Sequence, residues 1–289
     1  MLHLLIGTDW TRNRDAILAR LADDVHTRRE GRILMVPELI SHETERALCR
    51  FAGDTASRYA EVLSFTRLAR RAAEQAGSSA MECLDSGGRV VAMAAAARQL
   101  ASKLKAYAAV ETKPEFLTEL IDAVDEFKRC CITAQDLKAA AAQTEGSLAQ
   151  KLEELSLLME SYDALCSQGK RDPRDQMTWL LEQLEESDYA QTHVFYIDGF
   201  PDYTRQHLEI LEHLIQFSPS VTVSLNCDSI GSRQLAFEKA GQTASEIYRA
   251  AQRLNIPVQV ELIPGREDAL SPMREKLFQG AIQIGACAG

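Results

Sequence analysis

Residues 194–197, Val-Phe-Tyr-Ile, are four consecutive apolar β-formers closed abruptly by Asp198-Gly199. A run that short and continuous reads as a strand buried on both faces, the pattern of a parallel sheet. Parallel strands need long crossovers, so this one stretch demands an α/β chain with helices between its strands. It also points to a site. In open α/β sheets ligands lie outside the carboxyl ends of the strands, which is where Asp198 stands. In a nucleotide hydrolase that carboxylate would hold magnesium, and an adjacent acid would help to position the attacking water. Here the neighbour is Gly199, so the acid pair is incomplete.

The chain on either side supplies the expected partners. LHLLI at 2–6 reads as a first strand ending at Gly7, followed by a polar turn and a helix with Ile17, Leu18, Leu21 and Val25 on one face. Residues 32–36 form a second strand ending at Pro37-Glu38, with Ser41 expected to cap the next helix. A third strand at 61–63 runs into Ser64-Phe65 and the basic helix TRLARRAAEQAG. Strands return at 194–197, 221–225 and 258–262, with helices expected at 203–216 and 242–254. Between about 79 and 189 only helical periods occur. Thr112, Pro114 and Glu115 spell a capping box opening a helix with Phe116, Leu120, Val124 and Phe127 on one stripe. Leu148, Leu152, Leu155, Met159, Tyr162 and Cys166 repeat at a spacing that suits packing within a helical bundle. The turn 171–175 then leads to a helix carrying Trp179 and Leu180. The expected organisation is a discontinuous α/β core, 1–78 plus 190–289, interrupted by an all-helical insertion at 79–189. The weakly periodic end, from Gly265 to QIGACAG, suggests a piece of something longer.

Composition narrows the function classes. A net charge of −10 argues against a generally basic nucleic-acid coat while leaving room for a local basic groove. Seven cysteines without a CxxC pair, and without histidines at finger spacing, read as reduced and mostly buried thiols of a cytoplasmic protein with no metal site. No apolar run approaches the roughly 18 residues that span a membrane, and MLHLLIG is too short for a signal peptide. Six scattered histidines offer no catalytic triad. Asp202 follows Pro201 and reads as a helix cap, not as the second member of an acid pair with Asp198.

Two segments carry candidate chemistry. After the first strand, a phosphate loop would need G-x-x-x-x-G-K-[ST], whose glycines let backbone N–H groups wrap the phosphates. Gly7 holds the first position, but Arg12, Asn13 and Arg14 stand where Gly, Lys and Ser/Thr belong, and Trp10 adds bulk. Gly7, Thr11, Arg12, Asn13, Arg14 and Asp198 are therefore at most a vestigial nucleotide site, and a turn retained for folding is favoured. The second segment comprises Pro37-Glu38 and the Ser64-Phe65-Thr66-Arg67 stretch, both following strands. Ser64, Thr66 and Arg67 can donate to phosphates, and Phe65 can stack on a base. Spacing alone favours the plainer alternative, with Phe65 and Leu68 in the core and the arginines on a solvated face.

LLIG, VPELISHETERAL, VLSFTRLARR, FKRCCITAQDLKAA, VFYIDGFPDYTRQHLEIL and VTVSLNCD occur in an order and spacing that resembles the N-terminal part of the AddB family. AddB is the B subunit of the bacterial ATP-dependent helicase–nuclease that processes double-strand DNA breaks. The resemblance implies a P-loop, superfamily-1-helicase-like α/β core with a helical insertion, acting in repair by homologous recombination. Many family members keep GxxGxGK[ST] where this chain has Gly7 to Arg14, so the resemblance implies inactivated motor machinery and no ATP or magnesium cofactor here. Asp198-Gly199-Phe200 looks like the family's replacement for the helicase acid pair. By analogy with helicase segments that touch single-stranded DNA, Pro37, Glu38, Ser64, Thr66 and Arg67 would line the strand's path. The implied partners are single-stranded DNA and an AddA-type motor subunit. The family's nuclease acids and iron–sulfur cluster belong to a C-terminal part, beyond this sequence, and its helicase-like half is implicated in reading a recombination hotspot. Two rival readings remain at this stage: a working P-loop NTPase with an unusual anion loop, and a purely structural assembly domain.

Overall fold

A computed structural model describes residues 1–77, 82–108 and 113–266. Six strands form one sheet: β1 (Leu2–Gly7), β2 (Arg32–Met35), β3 (Ala60–Leu63), β4 (Val194–Ile197), β5 (Val221–Asn226) and β6 (Val258–Leu262). Among the described residues the helices are α1 (Trp10–His26), α2 (Ser41–Ala52), α3 (Phe65–Gln75), α4 (Ser86–Gln99), α5 (Pro114–Arg129) and α6 (Ala134–Ala142). They continue with α7 (Gly146–Cys166), α8 (Gln176–Glu185), α9 (Tyr189–Thr192), α10 (Arg205–Phe217) and α11 (Glu238–Arg253). The fold is α/β, as the sequence predicts. Contacts divide the described residues into two compact units, one holding residues 1–68, 184–203 and 208–266, the other those within 69–183 and 204–207.

In the first unit the strand order is β3-β2-β4-β5-β1-β6. Every ladder is parallel. β1, β2 and β4 read as near-continuous apolar runs, and in β5 even Thr222 and Ser224 are buried, because both sheet faces are covered. Ile17, Leu18, Leu21 and Val25 of α1 pack with Leu48 and Ala52 of α2 against Leu5, Leu34, Val62 and Tyr196. Each such side chain contributes about 1.5–3 kcal/mol by leaving water. The chain leaves β2 toward β3 on one side and leaves β4 toward β5 on the other. The topological switch point therefore lies between β2 and β4. Gly199, at φ +77°, makes the turn after β4 possible, because a Cβ there would approach Ile40 Cδ1 to 2.8 Å.

The second unit is helical. Met93, Ala96 and Ala97 of α4 meet Leu117, Leu120, Ile121 and Val124 of α5 and Leu158, Met159 and Tyr162 of α7. Beneath them lies an ionic network. Asp172, fully buried, accepts from Tyr162 Oη at 2.7 Å, Arg89 Nη2 at 3.1 Å and the Arg174 amide at 2.8 Å. Asp125 takes Arg89 and, at 2.7 Å, Arg174. Lys128 Nζ sits 2.8 Å from Asp163 and 2.5 Å from Asp175. Burial opposes the Lys128 charge, but Asp175, Asp163 and Asp172 outweigh it and raise its pKa. Nearby, Glu154 accepts from three successive amides, Lys105, Ala106 and Tyr107, at 2.9, 3.1 and 3.0 Å.

Several local expectations need correction. Ser41 is the first residue of α2 and bonds back to the Glu38 carbonyl, while Ile40 holds the cap position. Asp202 does not cap α10 but pairs with Lys239, and Thr204 and His207 bond reciprocally at that helix's start. The buried stripe of α5 runs through Leu117, Leu120, Ile121, Val124 and Lys128, leaving Phe116 44% exposed. Leu148 falls outside the α7 seam at 54% exposed. Of the six described cysteines only Cys166 and Cys227 are buried. Thr112 and nearly all of the C-terminal stretch lie outside the described residues.

Candidate functional site at the carboxyl edge of the sheet

Because all strands run parallel, Gly7, Pro37, Ser64, Asp198 and Asn226 emerge on one edge of the first unit. At the end of β1 only Thr8 and Asp9 separate the strand from α1. Asp9 is the cap: its Oδ1 accepts from the amides of Thr11 and Arg12 at 3.0 and 3.4 Å. The helix N-terminus, which would otherwise draw an anion, thus carries its own carboxylate. Asn13, 2% exposed, points back and donates to the carbonyls of Gly7 at 3.0 Å and Leu225 at 3.2 Å. Asn226, with its amide suitably oriented, reaches the carbonyls of Gly7 and Thr8. A Cβ on Gly7 would stand 2.3 Å from Asn13 Oδ1.

Arg14 turns inward instead of toward a ligand. Its Nη2 donates to Thr44 Oγ1 at 2.8 Å, its Nε lies 3.6 Å from Asp198 Oδ2, and its guanidinium sits 5.8 Å from the Trp10 ring centre. Asp198 is 5% exposed and accepts a short bond from Ser224 Oγ. Burial pushes its carboxyl above the usual range, with Ser224, Arg14 and the Gly199 amide pulling partly back. Tyr203 is pushed up by burial and then by the Asp198 charge. Three buried polar atoms here have no hydrogen-bond partner: Asn13 Oδ1, Arg14 Nε and Tyr203 Oη.

These residues do not fit a nucleotide triphosphate with magnesium. The two amides at the helix start are taken, Asn13 fills the space beside Gly7, and Asp198 is bonded to Ser224 beside an arginine. Among the described residues no three His, Cys, Asp or Glu side chains converge as a metal site. Nor is any described helix long and apolar enough to cross a membrane.

The other segments meet beside the switch point. Ser64 Oγ donates a short bond to Glu38 Oε2 and accepts from the Arg67 amide at 3.3 Å. Arg67, part exposed, pairs with Glu45 at 3.1 Å. Thr66 is half-buried, and Pro37 packs 3.6 Å from where a Gly199 Cβ would stand. Phe65, 5% exposed, sits edge-on to Phe200 at 5.2 Å between ring centres, so it is a core residue and no free stacking face. What the edge exposes instead is Trp10, at 61%, and Leu39, at 98%. Sequence reasoning missed Asp9, Ser224 and Tyr203. Asp9 had a readable signal, an aspartate one residue ahead of a helix. Ser224 and Tyr203 had none, because their partner lies on another element.

Comparison with known proteins agrees with the ordered motifs. The model of the family described as ADDB, N-terminal, matches residues 4–275. The chain is 33% identical over 199 residues to the ATP-dependent helicase/deoxyribonuclease B subunit of Thermoanaerobacter sp. (strain X514), covering 68% of this chain and 17% of that protein. It is 25% identical over 277 residues to the protein of the same name from Bacillus velezensis, covering 91% of this chain and 24% of the relative. The one from Clostridium acetobutylicum is 26% identical over 230 residues, or 78% of this chain and 20% of its own length. This chain thus spans about a fifth of the length of the relatives it matches. With a parallel α/β sheet in place and a family match that runs from β1 past β6, the chain belongs to the AddB family, whose N-terminal region it represents.

Proposed function

We propose that this chain is the helicase-like, non-hydrolysing N-terminal region of a helicase/deoxyribonuclease B subunit. In this reading it guides single-stranded DNA and docks an AddA-type motor subunit during repair of double-strand breaks by recombination. The observation that carries it is the self-filled turn after β1. Asp9 takes the helix amides, Asn13 packs against Gly7, and Arg14 pairs with Asp198. A motor that exchanges nucleotide must leave those groups free for phosphates. The discontinuous organisation, a P-loop-like core around a helical insertion, belongs to the same proposal. So does assignment of the iron–sulfur cluster and nuclease chemistry to other parts of the whole protein.

The DNA path follows the β2 and β3 loops, with Pro37, Glu38, Ser64, Thr66 and Arg67 beside the exposed Trp10. Arg67 supplies a phosphate contact by exchanging Glu45 for DNA, and Trp10 presents a ring on which a base can stack. The test is a titration of the chain with fluorescent single-stranded DNA at low and moderate salt, beside Arg67→Ala and an ATP-binding control. Salt-sensitive binding that weakens in the variant, without ATP binding, is the expected result. Absence of DNA binding in both proteins would leave the assembly reading, which the Arg67–Glu45 pair and the exposed Leu39 favour. Turnover of ATP would overturn the non-hydrolysing reading.

A further inference from the structure

The opposite, amino edge of the same sheet carries a notch of about 530 Å³. Its walls come from the end of α1 and the turn after it, Val25, His26, Arg28 and Glu30, and from the turn before β3, Thr55, Arg58 and Tyr59. The basic residues around it divide sharply. Arg29 and Arg32 both pair with Asp24, at 3.1 and 2.8 Å. Arg28 and Arg58 are exposed, and no ion pair or hydrogen bond to their side chains occurs among the described residues. Two guanidiniums without an ion pair among the described residues thus face one small concavity on a chain of net charge −10.

The notch is also built to stay in shape. Arg28 is held in the left-handed region at φ 57°, with its amide bonded to the Val25 carbonyl at 2.9 Å. The amides of Thr27 and Arg29 take the carbonyls of Asp23 and Asp24. The last carbonyls of α1 are thus occupied, which weakens the negative helix end that would repel an anion. Tyr59 packs part of its ring on the hydrophobic core and presents the rest to the notch, with the Arg58 guanidinium 5.7 Å from its centre. Glu30 adds one acceptor. Bare phosphate would meet that carboxylate unfavourably, whereas a ligand that also brings N–H donors and a flat ring would use every wall.

We propose that this notch binds a nucleotide unit, with the phosphate on Arg28 and Arg58, the base against Tyr59, and the base's N–H groups facing Glu30. Guanidinium for phosphate and an aromatic ring for a base are the recognition chemistry of single-stranded nucleic acid. The unit is either free or part of a strand, and the site is independent of the DNA path on the carboxyl edge.

The test is NMR of the arginine Nε–H signals of the whole chain during additions of dAMP, d(A)10 and inorganic phosphate. It is run on the wild type, Arg28→Glu/Arg58→Glu, Tyr59→Leu and, as a control from the other edge, the exposed Lys239→Ala. We expect dAMP to shift the Arg28 and Arg58 signals at least tenfold below the phosphate concentration required. The double variant should weaken dAMP at least tenfold, Tyr59→Leu should erase its advantage over phosphate, and Lys239→Ala should change nothing. Binding of d(A)10 more tightly than dAMP assigns the site to a strand, and equal binding assigns it to a free nucleotide. Equal potency of phosphate and dAMP, or an undiminished shift in the double variant, would overturn the proposal. Because all four substituted side chains are wholly or partly exposed, the variants are expected to fold, and their backbone spectra report directly on that.

Discussion

The chain buries two clusters made of the same materials, arginine, aspartate and a tyrosine, and satisfies them to different degrees. In the helical unit Asp172 has Tyr162, Arg89 and the Arg174 amide, Lys128 has three aspartates around it, and Asp125 holds two arginines. At the carboxyl edge of the sheet, Asn13, Arg14 and Tyr203 each keep a buried atom without a hydrogen bond, whereas in the helical network the buried Asp163 Oδ1, also without one, at least lies 2.8 Å from the Lys128 charge. A half-satisfied polar group in a low-dielectric interior is expensive, so folds rarely keep three of them together without a use. The contrast separates a network that specifies how helices dock from a cluster whose composition follows something other than stability.

The largest effect should come from breaking the better-satisfied cluster. Asp172→Ala leaves Arg89 with Asp125 as its one carboxylate and deprives the Tyr162 hydroxyl of its acceptor, and should cost about 3–5 kcal/mol in urea unfolding followed by a helical signal. A loss under about 1 kcal/mol would mean that the network is not what holds these helices, on the scale of an exposed ion pair. Next is the crowded turn after β1. Gly7→Ala should lose about 1–3 kcal/mol, because the new methyl meets Asn13 Oδ1 and the Ile263 carbonyl. Adding Asn13→Ala should recover part of that loss, and strict additivity of the two changes would show that Asn13 does not fill the space beside Gly7.

Two buried carboxylates then sharpen the comparison through pH, with opposite signs. Burial alone would push Glu154 up, but the amides of Ala106, Lys105 and Tyr107 and the Gln150 side chain together hold it below its ordinary value. Its contribution is therefore present above the unfolded value, about 4.3, and is lost as pH falls through the lowered folded one. The stability gap between wild type and Glu154→Gln should accordingly shrink in acid. Asp198 is raised, so its ionised form opposes folding above the raised value, and that opposition fades as pH falls through it. Melting temperatures from pH 7 to pH 4 should show the wild type gaining on Asp198→Asn. A gap that is flat with pH would put Asp198 in contact with water.

β1, β2 and β4 were legible as apolar runs stopped at Gly7, Pro37 and Asp198, β5 and β6 as alternating β-formers, and the helices between them because their apolar residues keep one face. What sequence could not supply was rotation and partnership. On α5 the periodicity fits Phe116 as well as Leu117, and only the facing residues of α4 and α7 decide that Leu117 and Ile121 turn inward. Lys128 reads as a surface residue because the three aspartates that make its burial tolerable lie on distant segments. At the candidate site the composition of the β1 turn was readable, but not that Asp9 and Asn13 would occupy it. The Glu38–Ser64 bond joins two loops 26 residues apart. No local pattern announces such a pair.

The strand order has a consequence for synthesis. Among the described residues β1 pairs with β5 and β6, and β2 with β3 and β4, so the first of these six strands to be made stays unpaired until Val221–Asn226 exists. At translation speeds of roughly 5–20 residues per second, the apolar LHLLIG segment waits on the order of ten to forty seconds outside the ribosome. Residues 69–183, whose packing is mostly local, are complete well before then. The nascent chain therefore carries a finished helical bundle and an orphan hydrophobic strand at once, a high-contact-order sheet whose closing step falls to β5.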